Sequence, residues 1–480
     1  MNTSREALRR LVVGTLMPGF VGTTVPAWIE REYAAGLASV CLYGANVVDP
    51  DQLATLCASL REAAPDLLVA VDEEGGDVTR LHYPTGSTQP GNALLGRLDD
   101  IGLTRSSASA IGRELAAYGI NLDLAPVVDV NSADENPVIG VRSFGADAAH
   151  VARHSAAYVE GVQSVGVAAC AKHFPGHGDT VTDSHHGLPR VHAEAHVLDV
   201  RELEPFRAAI EARVACIMTS HVVVSAIDAE RPATFSPIVL GDVLRGRLGF
   251  EGVIVSDALD MAGASAETGI PEAAVRALVA GCDLLCVGSE TTEDCYLTVV
   301  EALVEAAASG RLPVDRLGEA AARVALLSKG FAMGGVGGAR ADVVQDDDAV
   351  EPAWANGALV GGFEVGGAVR AWLDAPGDAV IVQVASDPNL AVGRVAWGPD
   401  AAGLTTAEPD VPEGARVAVA GRGLAAGHPL WDVAERLRAQ GHPTIVVDCG
   451  WPRGGADLVT FGGSVVVAQA LGRYLGVPAR

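Results

Sequence analysis

Eight short apolar runs, set between Ala-rich stretches of helical character, constrain this 480-residue chain more than any other feature. They are LVVGTL (11–16), SVCLYG (39–44), LLVAVD (67–72), NLDLAPV (121–127), VAACAKH (167–173), ACIMTSH (215–221), GVIVSD (252–257) and DLLCVG (283–288). Each is too short for a buried helix, and as a set they lack the polar–apolar alternation of half-exposed strands. Parallel strands covered on both faces read this way. RSSASAIGRELAAYG (105–119) and PEAAVRALVAG (271–281) supply helices between them. Eight β/α repeats predict the α/β class and a TIM-type (β/α)8 barrel. An open doubly wound sheet is the alternative that the same elements allow.

The texture changes after Lys329. A Gly-rich and then acidic stretch follows, and a second β/α set succeeds it: AVIVQVA (379–385), RVAVAG (416–421), PLWDVAERLRAQG (429–441), TIVVDCG (444–450) and VVVAQALGRYLG (465–476). The expected organisation is a barrel over 1–335, a linker over 336–350 and a smaller α/β domain over 351–480. GRGLAA (421–426) is a nominal dinucleotide-binding pattern, but its helix begins near Pro429. That is too late for the helix N-terminus to meet a pyrophosphate.

A formal net charge of −26 repels phosphate backbones and anionic bilayers, so neither nucleic acid nor membrane is an expected partner. No segment is long enough to span a bilayer. Arg9-Arg10 and the LVVGTLMPGFVG that follows have the outline of a signal peptide. The run is short, contains Pro18 and lacks a small-residue cleavage pattern before Glu30, so it reads as a first barrel strand. Cys41, Cys170, Cys216, Cys282 and Cys286 lie inside apolar runs, as small buried hydrophobes of a reducing, cytoplasmic compartment would. Cys282 and Cys286 have no second pair at metal-ligand spacing, so no metal is expected.

In a barrel, chemistry belongs where strands end at the C-terminal face. Asp72 ends the third run, Lys172-His173 the fifth, Ser220-His221 the sixth and Asp257 the seventh. Any one of these suits a helix cap; together they point to one mouth. The densest polar segment is AKHFPGHGDTVTDSHHGLPR (171–190), and Lys172 and Lys329 are the only lysines among 34 basic residues. An ammonium is a compact point donor that arginine does not replace. Neither HExxH nor a phosphate-binding GxxxxGK[ST] pattern occurs. Acid–base work remains, with Asp183 orienting and charge-stabilising the imidazole of His185. Asp257 in VIVSDALDM stands where a carboxylate can attack a sugar's anomeric carbon, while Asp260 is expected to cap or start the next helix.

At these residues the sequence resembles glycoside hydrolase family 3. The motifs are LYGAN (42–46), VDEEGGDVTRL (71–81), NPVIGVRSFG (136–145), KHFPGHGDTVTDSH (172–185), PATFSP (232–237) and GFEGVIVSDALDM (249–261). KHFPGHGDT followed by DSH marks the branch that removes β-N-acetylhexosamine residues. The resemblance implies a retaining exo-enzyme with Asp257 as nucleophile and His185, beside Asp183, as general acid and base. It implies that Asp72, Arg80, Arg142, Lys172 and His173 hold the sugar hydroxyls and the N-acetyl group. Met218, His221 and Met261 would line the pocket, and no cofactor is required. Peptidoglycan fragments and chitooligosaccharides both present the expected carbohydrate substrate, a non-reducing β-GlcNAc. Two alternatives stay open: a phosphorylase on the same scaffold, since a neutral histidine does not repel incoming phosphate, and an inactive sugar-binding protein. Asp77, in EEGGDV, is expected to add negative charge at the pocket rim.

Overall fold

The computed structural model describes residues 3–180, 187–331, 357–386 and 391–478. The expected linker at 336–350 lies outside them. The chain opens with helix α1 (Arg5–Val13), capped where Ser4 Oγ accepts from Ala7 N at 3.2 Å and ended at Gly14. This corrects the strand expected over 11–16. Val12 and Val13 belong to the buried face of α1, together with Leu8. Strand β1 (Leu16–Pro18) starts only after Gly14. An apolar run that straddles a helix end and a strand start carries neither period, so periodicity misplaces the boundary.

The barrel strands are β1, β2 (Ser39–Leu42), β3 (Leu68–Val71), β4 (Leu122–Asp123), β5 (Ala168–Phe174), β7 (Cys216–Thr219), β9 (Val253–Val255) and β10 (Leu285–Gly288). A short parallel pair, β6 (Arg190–Val191) and β8 (Val223–Val224), lies outside the barrel ladder. Strands β2-β3-β4-β5-β7-β9 form one parallel ladder, and β1 pairs with β10. A bridge between Val255 and Leu284 joins β9 to β10. On the other side Ser39 Oγ donates to Leu16 O at 3.0 Å, linking β2 to β1.

Alternation along the strands sorts side chains between two cores. Met17, Cys41, Leu68, Ala70, Leu122, Ala168, Cys170, Cys216, Val253 and Cys286 fill the interior. Val40, Leu42, Val69 and Val71 face the helices. Four cysteines therefore plug the barrel, where space favours small side chains; all eight in the chain are free thiols. Around the barrel run α2 (Ala27–Ala35), α3 (Pro50–Ala63), α4 (Asn92–Leu98), α5 (Ile101–Tyr118) and α6 (Ala148–Gln163), followed by helices at Gly269–Ala280, Glu293–Ala308 and Val314–Gly330. Val324 and Leu327 of the last helix close the interior core. Among the described residues, no helix is long and apolar enough to cross a membrane.

The second unit is a five-stranded sheet in the order β11 (Glu364–Val365), β15 (Leu458–Val459), β14 (Thr444–Asp448), β13 (Arg416–Gly421), β12 (Ala379–Gln383). Only the β11 edge is antiparallel. The helix after β13 spans Leu430–Ala439, well beyond the glycines at 421 and 423, as the sequence led us to expect.

Asp77 joins the two units. Its Oδ1 accepts from Gly463 N at 2.8 Å and its Oδ2 lies 3.6 Å from Arg422 Nη1. The Arg422 guanidinium stacks over Trp397, 4.5 Å from the ring centre. The expected position of Asp77 at the pocket rim is thereby corrected. Its charge is buried and bound to the second unit.

Candidate active site

The mouth of the barrel holds a cavity of 540 Å³ lined by Asp72, Glu74, Arg80, Arg142, Lys172, His173, His177, Met218, Asp257 and Met261, among others. Asp72 follows β3 directly, Lys172 and His173 come from the end of β5, and Asp257 follows β9. Strands β3, β5 and β9 run parallel in one ladder, so these groups emerge at one rim.

On one side stands a compact charged network. Lys172 Nζ lies 2.6 Å from Asp72 Oδ1 and 2.7 Å from Glu74 Oε1. Arg142 grips Glu74 at two points, Nε to Oε2 at 2.9 Å and Nη2 to Oε1 at 2.8 Å. Burial alone would raise the Glu74 pKa, but Arg142 and Lys172 hold the carboxyl well below the usual carboxylate range. Burial would lower the Lys172 pKa, but Asp72 and Glu74 raise it above the usual value. Glu74, Lys172 and Arg142 are thus charged at neutral pH. Asp72 is the most exposed, with 19% of its side chain accessible against 2% for Lys172.

His173 is fixed from behind. Its Nδ1 lies 2.7 Å from Asp129 Oδ2, and Asp129 Oδ1 accepts from His177 N at 2.7 Å. The imidazole Nε2 faces Arg142 Nη2 at 3.4 Å. His177 Nδ1 meets Thr180 Oγ1 at 2.9 Å, and burial pushes its pKa down to about 4. His177 is therefore neutral across the physiological range. The Lys172–His173 and Phe174–Pro175 peptides are cis.

Across the cavity the Ala258 amide donates to Asp257 Oδ1 at 2.8 Å, which orients the carboxylate. Met218 and Met261 line the wall. His221 does not: it is fully buried, with Nδ1 2.9 Å from Thr234 Oγ1 and Nε2 3.0 Å from the Ala258 carbonyl. The strand-end rule places its backbone correctly, but the ring turns into the wall and holds the segment that bears Asp257. Asp260 does not cap the next helix; its Oδ2 accepts from Ser289 N at 3.1 Å and it lines the cavity. Asp183 and His185 lie outside the described residues. Their segment leaves from Thr180, itself buried.

Three contributors escaped the sequence reading: Glu74, Asp129 and the second unit. Asp72 and Glu74 share a face by strand alternation, while Glu73 turns the other way. Its Oε2 accepts from Thr79 Oγ1 at 2.9 Å, Arg80 N at 2.8 Å and Leu81 N at 3.1 Å, which sets the turn carrying Arg80. Asp129 lies within the VVDV (127–130) that follows β4, and the strand-end rule would have found it had the run ending at Val127 been followed two residues further. The Arg80 guanidinium donates to Ala391 O at 2.8 Å and Val392 O at 3.1 Å, and Ala391 lines the cavity. Main-chain carbonyls have no side-chain signature, so no pattern announces them.

Comparison with known proteins agrees with this arrangement. Residues 23–327 match the Glycosyl hydrolase family 3 N terminal domain. The chain belongs to glycosyl hydrolase family 3. A β-hexosaminidase of Methylococcus capsulatus is 39% identical over 284 residues, covering 58% of this chain and 84% of that protein. The structure of a family 3 β-N-acetylglucosaminidase from Paenibacillus sp. superposes with a TM-score of 0.84 at 30% identity, covering 98% of this chain and 96% of that one. A β-N-acetylhexosaminidase from Beutenbergia cavernae is 33% identical with a TM-score of 0.61, covering 67% of this chain and 98% of its own.

Proposed function

We propose that this chain is a retaining exo-β-N-acetylhexosaminidase that releases non-reducing terminal β-GlcNAc. The observation that carries the reading is the placement of Asp257 across one 540 Å³ cavity from Asp72, Lys172 and Arg142. That volume suits a single sugar. The carboxylate and the cations supply acceptors and donors for its hydroxyls and acetamide.

Asp257 attacks the anomeric carbon, and the bond to the aglycone oxygen breaks as that oxygen takes a proton from His185. A covalent glycosyl–Asp257 ester results. Water then gives a proton to His185 and attacks the same carbon, releasing Asp257 and a sugar of unchanged anomeric configuration. Asp183 holds the imidazole in orientation. The carbohydrate source is proposed as peptidoglycan fragments or chitooligosaccharides. The free thiols agree with a cytoplasmic site of action.

The test is one incubation with p-nitrophenyl β-GlcNAc and its glucoside, with and without phosphate. GlcNAc release, with the acetamido sugar cleaved much faster, is the expected result. A site built to pair an acetamide leaves its donors unpaired with glucose, at a large cost. Faster cleavage of the glucoside overturns the assignment, and GlcNAc-1-phosphate formed in phosphate buffer moves it to phosphorolysis.

A further inference from the structure

On the outer side of the barrel, three ligating side chains that take no part in the sugar cavity converge. Asp99 ends α4 in the left-handed conformation, with φ 49°. His150 and His154 lie one turn apart at the start of α6 and therefore share a face. Asp99 Oδ1 stands 3.4 Å from His150 Nδ1 and 3.4 Å from His154 Nε2. The three ligand atoms all lie within 4.8 Å of one another. Bonds of about 2.1 Å to a tetrahedral zinc put neighbouring ligand atoms about 3.4 Å apart, so both Asp99 separations already match.

Both imidazole nitrogens of His154 have polar partners. Thr104 Oγ1 lies 2.8 Å from His154 Nδ1, and His154 Nε2 lies 3.4 Å from Asp99 Oδ1. When Nδ1–H donates to that hydroxyl, the Nε2 lone pair is open to an ion beside the carboxylate. Arg153 Nη2 supplies positive charge, at 3.3 Å from both Asp99 Oδ1 and His150 Nδ1, from a side chain 53% exposed and able to swing outward. Gly96 permits the close approach of α4: a Cβ there would stand 1.9 Å from Phe144 O.

We propose that Asp99, His150 and His154 bind one divalent cation of the zinc class, with Arg153 displaced and water completing the coordination. Two imidazoles and one carboxylate select borderline transition ions over magnesium or calcium. The bound ion braces the loop that carries Arg142. Phe144 stacks on His154 at 5.3 Å, and Asn92, at the start of α4, donates to the Arg142 carbonyl at 2.7 Å.

The test strips the full-length protein with chelator and titrates it with Zn²⁺ against a competing chromophoric chelator. A parallel thermal melt and a Co²⁺ visible spectrum accompany it. The expected result is one equivalent bound with a raised melting temperature. Affinity should fall at least tenfold in His150→Gln and in Asp99→Asn, and rise in Arg153→Ala. Both weakened positions reach solvent, so these variants fold. Failure of the parent protein to take up Zn²⁺ overturns the proposal. So does equal affinity and stoichiometry in the parent and both weakened variants, which would place the ion elsewhere.

Discussion

The Lys172 ammonium lies 2.7 Å from the Glu74 carboxylate, and both side chains are 2% exposed. Two buried cations, Lys172 and Arg142, share that one carboxylate, with Asp72 completing the balance. Glu74→Gln keeps the shape and removes the charge, which leaves an uncompensated buried cation. We expect a loss of about 3–5 kcal/mol in stability. We also expect kcat/KM to fall by about two orders of magnitude, as the sugar-facing cations lose their fixed positions. Urea unfolding and steady-state kinetics on the purified variant check both. Unchanged stability would mean that water reaches the network.

Asp257→Asn is expected to lower turnover by about 10⁴-fold or more while the fold is kept, since an amide forms no glycosyl ester. Circular dichroism together with aryl-glycoside kinetics makes the measurement. Near-normal turnover in a folded variant would transfer the nucleophile's role to another carboxylate, with Asp260 the neighbour to examine.

His185→Ala is expected to slow substrates with poor leaving groups far more than activated aryl glycosides. Protonation matters less when the departing oxygen is already a stable anion. A leaving-group series on parent and variant gives the slope, and equal slowing across the series would remove His185 from acid catalysis.

Glu202 underlies the segment carrying His177. Its Oε1 meets Arg201 Nε at 2.6 Å, Oε2 is buried with no partner among the described residues, and burial raises its pKa to about 7. A pKa raised above the ordinary value of about 4.5 means that the folded state binds more protons between pH 4.5 and 7. The stability contributed by this group is therefore complete below pH 4.5 and lost as pH rises through 7. Glu202→Gln should remove that dependence and gain melting temperature relative to the parent at pH 8, with little difference at pH 5. Parallel melting curves for the two proteins across that range would contradict it.

Much of the site was legible because a barrel converts strand ends into one rim. Asp72, Lys172, His173 and Asp257 could be placed from apolar runs alone. Position at a strand end does not fix the direction of a side chain. His221 ends a strand like the others, yet Thr234 and the Ala258 carbonyl turn its ring into the wall. Asp77 and Glu74 look alike in EEGGDV, but one turns to Gly463 of the second unit and the other to Lys172. The direction of Asp77 depends on a partner 386 residues away, and that of Glu74 on Arg142, 68 residues away, and on Lys172. Helix α1 was missed for a different reason: its buried valines run into β1 across Gly14, and one apolar run conceals two periods.

The carbonyls of Ala391 and Val392 grip Arg80 across more than 300 residues of chain. During synthesis the barrel strands are complete once Gly288 has emerged, yet the pocket still lacks part of its wall. A ribosome that has made only the barrel has therefore not made the finished pocket wall. We therefore expect a truncation or a fraying of that smaller unit to loosen Arg80 and weaken the hold on the sugar while the barrel stays folded.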